Sequence, residues 1–207
     1  MQDSRSSFSG ELARFLRGLG WRALPTHILL VIAFGIFLPW MRGLNFMDPV
    51  LLAAYACLGV LFAAPAAAQS FAERPASMPH VYARIAIAVL YGELMTIAML
   101  AAAFATFYFL HPLPIGPDVP GLARINAFGL CASLAMAAGS AWITLRFSAS
   151  AARVLMRLAF LALLIVFFFK SRWLPELDLT AALAALLVGA IAILAIRRDL
   201  LRHAQAV

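Results

Sequence analysis

The sequence predicts an all-α fold: a polytopic membrane protein with an N-terminal amphipathic interfacial helix and six transmembrane helices, both termini cytoplasmic. Three observations predict it. Hydrophobic residues make up 65% of the 207 and charged residues only 12%, with a mean hydropathy of +0.95; a soluble chain carries about a quarter charged residues. Long stretches are apolar all round, with neither a helical stripe nor strand alternation, which suits a helix in lipid. The basic residues gather in the connections that fall on one side once each apolar run is counted as a crossing.

The polar residues 1–7 are expected to fray. From Phe8 the pattern turns helical: Phe8, Leu12, Phe15, Leu16 and Leu19 form a stripe, while Glu11, Arg14 and Arg17 are read as its wet side. Residues 8–20 are therefore expected to lie in the membrane interface. Gly18 and Gly20 are expected to loosen the backbone before Trp21 and Arg22, an aromatic and a cation suited to headgroup level. The first span covers about 24–40, with Pro25 in its first turn, where a missing N–H costs nothing, and Pro39 and Trp40 at the far interface. No cleaved leader is expected, and this span reads as an anchor. A short connection leads to the second span, 49–68.

Residues 69–84, QSFAERPASMPHVYAR, interrupt the apolar pattern with acid, base, two prolines and a histidine. This stretch reads as built to be touched from water. The third span, 85–110, is the longest apolar run and must tilt or project beyond the bilayer. HPLPIGPDVPG, at 111–121, is too rich in proline and glycine to be helical and reads as an external loop. Spans four and five are expected at 127–144 and 151–169, joined by an arginine-bearing connection. The sixth, 179–196, is closed by RRDLLRH. With both termini inside, Arg5, Arg14, Arg17, Arg22, Arg74, Arg84, Arg146, Arg153, Arg157, Arg197, Arg198 and Arg202 are cytoplasmic. Arg42, Arg124, Lys170 and Arg172 are outside, 4 basic residues against 12. No repeat or linker divides residues 1–207, which read as one transmembrane domain.

The formal charge of +7 follows from this asymmetry. A nucleic-acid footprint needs a contiguous basic face with polar or aromatic neighbours, and none is legible, so no nucleic-acid partner is expected. Cys57 and Cys131 lie in apolar runs without ligand spacing and read as packing residues. The only lysine, Lys170, follows three phenylalanines, where a phosphate-binding loop would need glycine. His27, His80, His111 and His203 are too scattered to share a metal. Ser140, in MAAGSAW, lacks a complete serine-nucleophile motif and reads as a small-residue helix contact. No catalytic residue, metal or cofactor bound by the chain itself is expected.

Ser70-Phe71-Ala72-Glu73-Arg74 resembles the phenylalanine–alanine–x–glutamate–arginine run that follows the second span in type-2 ABC exporter permeases. Ala83-Arg84 stands where that family often begins its third span with glycine–lysine, and Leu145-Arg146-Phe147-Ser148, with Arg153 after it, is similar to its loop between spans four and five. The likeness covers nearly the whole chain as architecture. It departs where the family's glycine–threonine is replaced by Pro75-Ala76-Ser77. What the resemblance implies is a permease subunit of an exporter in a bacterial cytoplasmic membrane, paired with a second permease, identical or homologous. Two copies of a separate ABC ATPase would hold the ATP and magnesium and dock at Phe71, Glu73, Arg74, Ser77 and His80. The family's cargoes range over lipids, glycans, peptides, drugs and ions.

Two other classes compete. A secondary transporter or channel needs charge within the membrane, and only Glu93 qualifies. A non-catalytic membrane assembly factor needs no site at all. Glu93 is expected either to pair with an arginine such as Arg14 or Arg17 near the interface, or to line the transport path or a permease–permease contact.

Overall fold

In the computed structural model the chain is all-helical, and the structure describes residues 2–41, 49–110, 119–169 and 179–204. Seven α-helices fall within them: α1 (Gln2–Ile32), α2 (Leu38–Met41), α3 (Pro49–Ser70), α4 (Met78–Leu110), α5 (Val119–Arg146), α6 (Ala149–Phe169) and α7 (Leu179–Ala204). A π-helical turn, Ala33–Phe37, joins α1 to α2.

The first forty residues correct the expectation of an interfacial helix separate from a first span. The backbone is helical without a break from Gln2 to Met41, so residues 2–7 extend the helix and Pro25 lies deep inside α1. Gly18 and Gly20 do not interrupt it. The irregularity falls later, at the π turn, where the Leu38 N–H donates to the Ala33 carbonyl five residues back. Gly35, buried in that turn, explains its position. A Cβ there would sit 2.6 Å from the Ala102 Cβ and 3.2 Å from the Met99 carbonyl oxygen, so only glycine lets the backbone lie on α4. The Thr106 hydroxyl bonds the Ala102 carbonyl at 2.8 Å and lies 3.4 Å from the Gly35 carbonyl, helping to hold the contact.

The other elements match the expected runs with longer ends. The polar stretch 78–84 is already helix, so α4 begins seven residues before the expected span. Residues 119–121, expected in a loop, open α5, and α7 continues past residue 196 to Ala204. Polarity marks where lipid ends, and a helix can continue into water. The connections at 42–48, 111–118 and 170–178 lie outside the described residues, and so do Arg42, His111, Lys170 and Arg172. The side chains of Arg5, Arg22, Cys57, Arg124 and His203 lie outside them too.

Packing fixes the directions. α1 and α4 run parallel, Glu11 meeting Arg84 near their starts and Gly35 meeting Ala102 toward their ends. α3 packs against α4, α5 and α6, and α5 against α7. Small side chains make the α3–α5 seam: Ala63, Ala66 and Ala67 face Ala137, Ala138 and Ala141 in one buried cluster. Ser140 lies in the seam as expected, its hydroxyl donating to the Ala64 carbonyl at 2.7 Å. Gly189 of α7 approaches the Ala135 backbone of α5, where a Cβ would be 3.4 Å from the Ala135 Cα. The same cluster takes in Phe15 of α1, Phe71 after α3, Ile85 of α4 and Ile196 of α7. Thus the N-terminal part of α1, the α3–α4 turn and the C-terminal part of α7 share one end of the bundle.

Among the described residues two helices are long and apolar enough to cross a membrane, Met78–Leu110 and Asn126–Arg146, and less than half of each is buried in the bundle. Large apolar side chains remain uncovered on three of the helices. Leu90, Leu94, Ile97 and Phe104 of α4 are exposed, as are Leu158, Leu161 and Ile165 of α6 and Leu187, Ile191 and Leu194 of α7. Large side chains of this kind on three helices exceed what a soluble monomer normally exposes.

Candidate functional site

The turn Phe71–Ser77 joins α3 to α4 without a helical turn of its own. Its two ends are fixed by local chemistry. Ser77 precedes α4, accepting the Val81 N–H on its carbonyl at 3.2 Å, and its hydroxyl lies 2.8 Å from the His80 Nδ1. The two side chains thus bond each other across the first turn of the helix. At the other end Phe71, only 1% exposed, drops into the core. Between these anchors Ala72, Glu73, Arg74 and Ala76 are exposed.

Beneath the turn lies an ion pair that corrects two expectations of exposure. Glu11, read from the sequence as a wet-face residue, is 5% exposed, and Arg84, in the stretch read as built to be touched from water, is 3% exposed. The Arg84 Nε and Nη2 donate to the two Glu11 carboxylate oxygens at 2.9 and 3.1 Å, a fork-on-fork contact. Its Nη1 donates to the carbonyls of Ser70 at 2.7 Å and Glu73 at 2.5 Å. The Ser70 carbonyl ends α3 and has no partner within its own helix, so Arg84 completes that terminus. The guanidinium carbon also lies 5.8 Å from the centre of the Phe71 ring, within cation–π range. Arg84 thereby ties together α1, the end of α3, the turn and its own helix α4. No buried side-chain nitrogen or oxygen among the described residues lacks a hydrogen-bond partner.

A second tie runs from Gln69, whose Nε2 donates to the Gly18 carbonyl of α1 at 2.8 Å. Between the two ties α1 and the turn enclose a cleft of about 210 Å³, with Glu11, Arg14, Gln69 and Glu73 in its walls. Arg14 spans it, 3.6 Å from Glu11 and 3.5 Å from Glu73. Glu73 is 76% exposed, so its pair with Arg14 adds ~1 kcal/mol at most.

The predicted contact residues therefore divide. Glu73 and Arg74 face solution, Ser77 and His80 are half-buried and bonded to each other, and Phe71 is a buried anchor that no partner can reach directly. Glu93 stands apart from them. It sits at the midpoint of the 33-residue α4, and the Ser133 hydroxyl of α5 donates to its carboxylate at 3.3 Å. Arg14 engages Glu11 and Glu73 and the Arg17 Nε donates to the Ala13 carbonyl, so neither is the partner expected for Glu93. On the neighbouring turn the Tyr91 hydroxyl and the His27 Nε2 are 2.6 Å apart, and Tyr91 packs edge-on against Phe15 and Phe62.

Sequence reading missed Glu11 as a site residue, although a signal was present. At 3.6 residues per turn, Glu11 is only about 40° round the helix from Phe15. The buried face of α1 runs through Glu11 and Phe15, and Leu16 on the stripe's other flank is exposed.

Among the described residues no group of three or more His, Cys, Asp or Glu side chains could hold a metal ion. Compared with protein-family models, curated proteins and solved structures, the chain has no match.

Proposed function

We propose that the chain is the transmembrane permease subunit of an ABC exporter, with six spans, both termini in the cytoplasm and its arginine-rich end docking separate ATPase subunits. The observation that carries this reading is the Phe71–Ser77 turn, which presents Glu73 and Arg74 to solution while Arg84 fastens it from within to α1, α3 and α4. A partner pushing on such a turn moves helices rather than a loose loop. The exposed apolar surfaces of α4, α6 and α7 support immersion in lipid. Ends of α1 and α7 at the turn's end of the bundle support an even number of crossings.

In this mechanism the permease performs no bond chemistry. A second permease, the same chain or a homologue, completes the pathway, and two ATPases bind and hydrolyse ATP with magnesium. Their closure shifts the paired permeases between inward- and outward-facing states, with the turn as the point of contact. The setting is a bacterial cytoplasmic membrane.

The test is to purify the tagged chain from its source membranes, identify any P-loop ATPase that accompanies it, and compare the variant Glu73→Arg/Arg74→Glu. Both side chains are exposed, so insertion and stability should hold while complex formation or stimulated ATP hydrolysis falls severalfold. Undiminished coupling in the double reversal would reduce the turn to a connector.

A secondary transporter is favoured by one observation, the carboxylate of Glu93 at mid-helix beside Ser133. It predicts transport in proteoliposomes by this chain alone, driven by an ion gradient and indifferent to ATP.

A further inference from the structure

The charges at the opposite side of the arginine-rich end have no role in the docking just described. There the C-terminal ends of α5 and α7 enclose an open cleft of about 390 Å³, walled by Trp142 and Arg146 of α5 and by Leu194, Arg198, Asp199 and Arg202 of α7. Three arginines against one aspartate leave this lining with a formal charge of +2. All three arginines are exposed, Trp142 and Asp199 are half-buried, and Asp199 is engaged in an interaction of its own.

The arrangement along α7 is directional. Leu187, Ile191 and Leu194 are exposed on the face that Arg198 and Arg202 continue, because steps of four, three, four and four residues keep to one side of a helix. From Leu187 to Arg198 is ~16 Å of helix, close to the ~15 Å depth of one leaflet's hydrocarbon. Apolar surface thus leads up to a guanidinium cluster at the depth where headgroups lie, and Trp142 on the facing wall suits that depth. Guanidinium forks match phosphate oxygens, and basic pockets between helices on the cytoplasmic side suit anionic headgroups.

We propose that this cleft binds the phosphate of an anionic phospholipid, with the acyl chains along Leu187, Ile191 and Leu194 and the headgroup held by Arg146, Arg198 and Arg202. It rests on the bilayer-spanning reading but needs no ATPase, so it can fail or hold independently of the exporter assignment.

The experiment uses the full chain purified in neutral detergent and offered equal amounts of phosphatidylglycerol and phosphatidylcholine, with retained lipid counted by native mass spectrometry and stability followed by thermal unfolding. The wild type should retain phosphatidylglycerol preferentially. Arg198→Gln/Arg202→Gln should weaken that retention by roughly fivefold per arginine removed. Arg153→Gln/Arg157→Gln, which takes the same charge from the exposed start of α6, should leave it unchanged. The single Arg202→Gln serves if the double variant fails to fold. Equal retention of the two lipids by the wild type, or equal losses in the two double variants, would overturn the proposal. Inorganic phosphate stabilising the lipid-free chain as strongly as phosphatidylglycerol would mark a site for a soluble ion and would also overturn it.

Discussion

Arg84 is the residue on which the arginine-rich end depends, because it spends its donors on four acceptors from three segments. Replacing it with glutamine leaves the buried Glu11 carboxylate only the longer contact to Arg14 at 3.6 Å, and breaking a buried pair typically costs ~3–5 kcal/mol. Arg84→Gln should therefore lower thermal stability far more than Glu73→Gln, which gives up an exposed pair worth ~1 kcal/mol or less. Arg84→Lys should rescue little, since an ammonium cannot make the forked contact and reach two carbonyls besides. Equal unfolding temperatures for Arg84→Gln and Glu73→Gln would show that the pair does not hold this end together. Glu93 calls for a different readout. Glu93→Gln keeps the shape and the Ser133 hydrogen bond but removes any charge, so a functional carboxylate predicts impaired transport with normal assembly. A change confined to thermal stability would make it structural. At this scale the sequence singled out Glu93 as a lone carboxylate in an apolar run but gave no sign of Ser133 beside it. It was misleading for Glu11 and Arg84, whose burial depends on a partner 73 positions away that periodicity cannot reveal.

Among the elements, the π turn at Ala33–Phe37 carries a close approach to α4. Gly35→Ala would force its new Cβ against Ala102, and overpacking of this kind costs ~1–3 kcal/mol. The double variant Gly35→Ala/Ala102→Gly should recover most of the loss, which thermal unfolding of both variants would measure. No recovery would mean that the two helices do not meet there. The apolar runs at 49–68, 151–169 and 179–196 predicted α3, α6 and α7, because a run apolar all round leaves helix as the only economical conformation in lipid. The ends were less legible. Met78-Pro79-His80 reads as loop, yet proline in a first turn and a serine before it are starting signals for a helix. The π turn had no signal beyond a single glycine, since its geometry answers to Met99 and Ala102 on another helix.

For the molecule as a whole, the ATPase contact requires that the arginine-rich end face the cytoplasm, and both it and the lipid cleft require that the bilayer cover the apolar flanks. Arg14, Arg74, Arg84, Arg146, Arg198 and Arg202 belong to the end of the bundle that holds the α3–α4 turn and the C-terminal part of α7. Counting charges by connection predicts that grouping; contacts between helices distant in sequence supply it independently. The measurement that bears most directly on it is two-sided thiol labelling in intact cells, with Cys57 and Cys131 replaced and single Ser77→Cys or Gly116→Cys variants introduced. An impermeant reagent added outside should label the Gly116→Cys variant in whole cells and the Ser77→Cys variant only after the cells are opened. Labelling of the Ser77→Cys variant in sealed cells would contradict the orientation, and with it the docking turn.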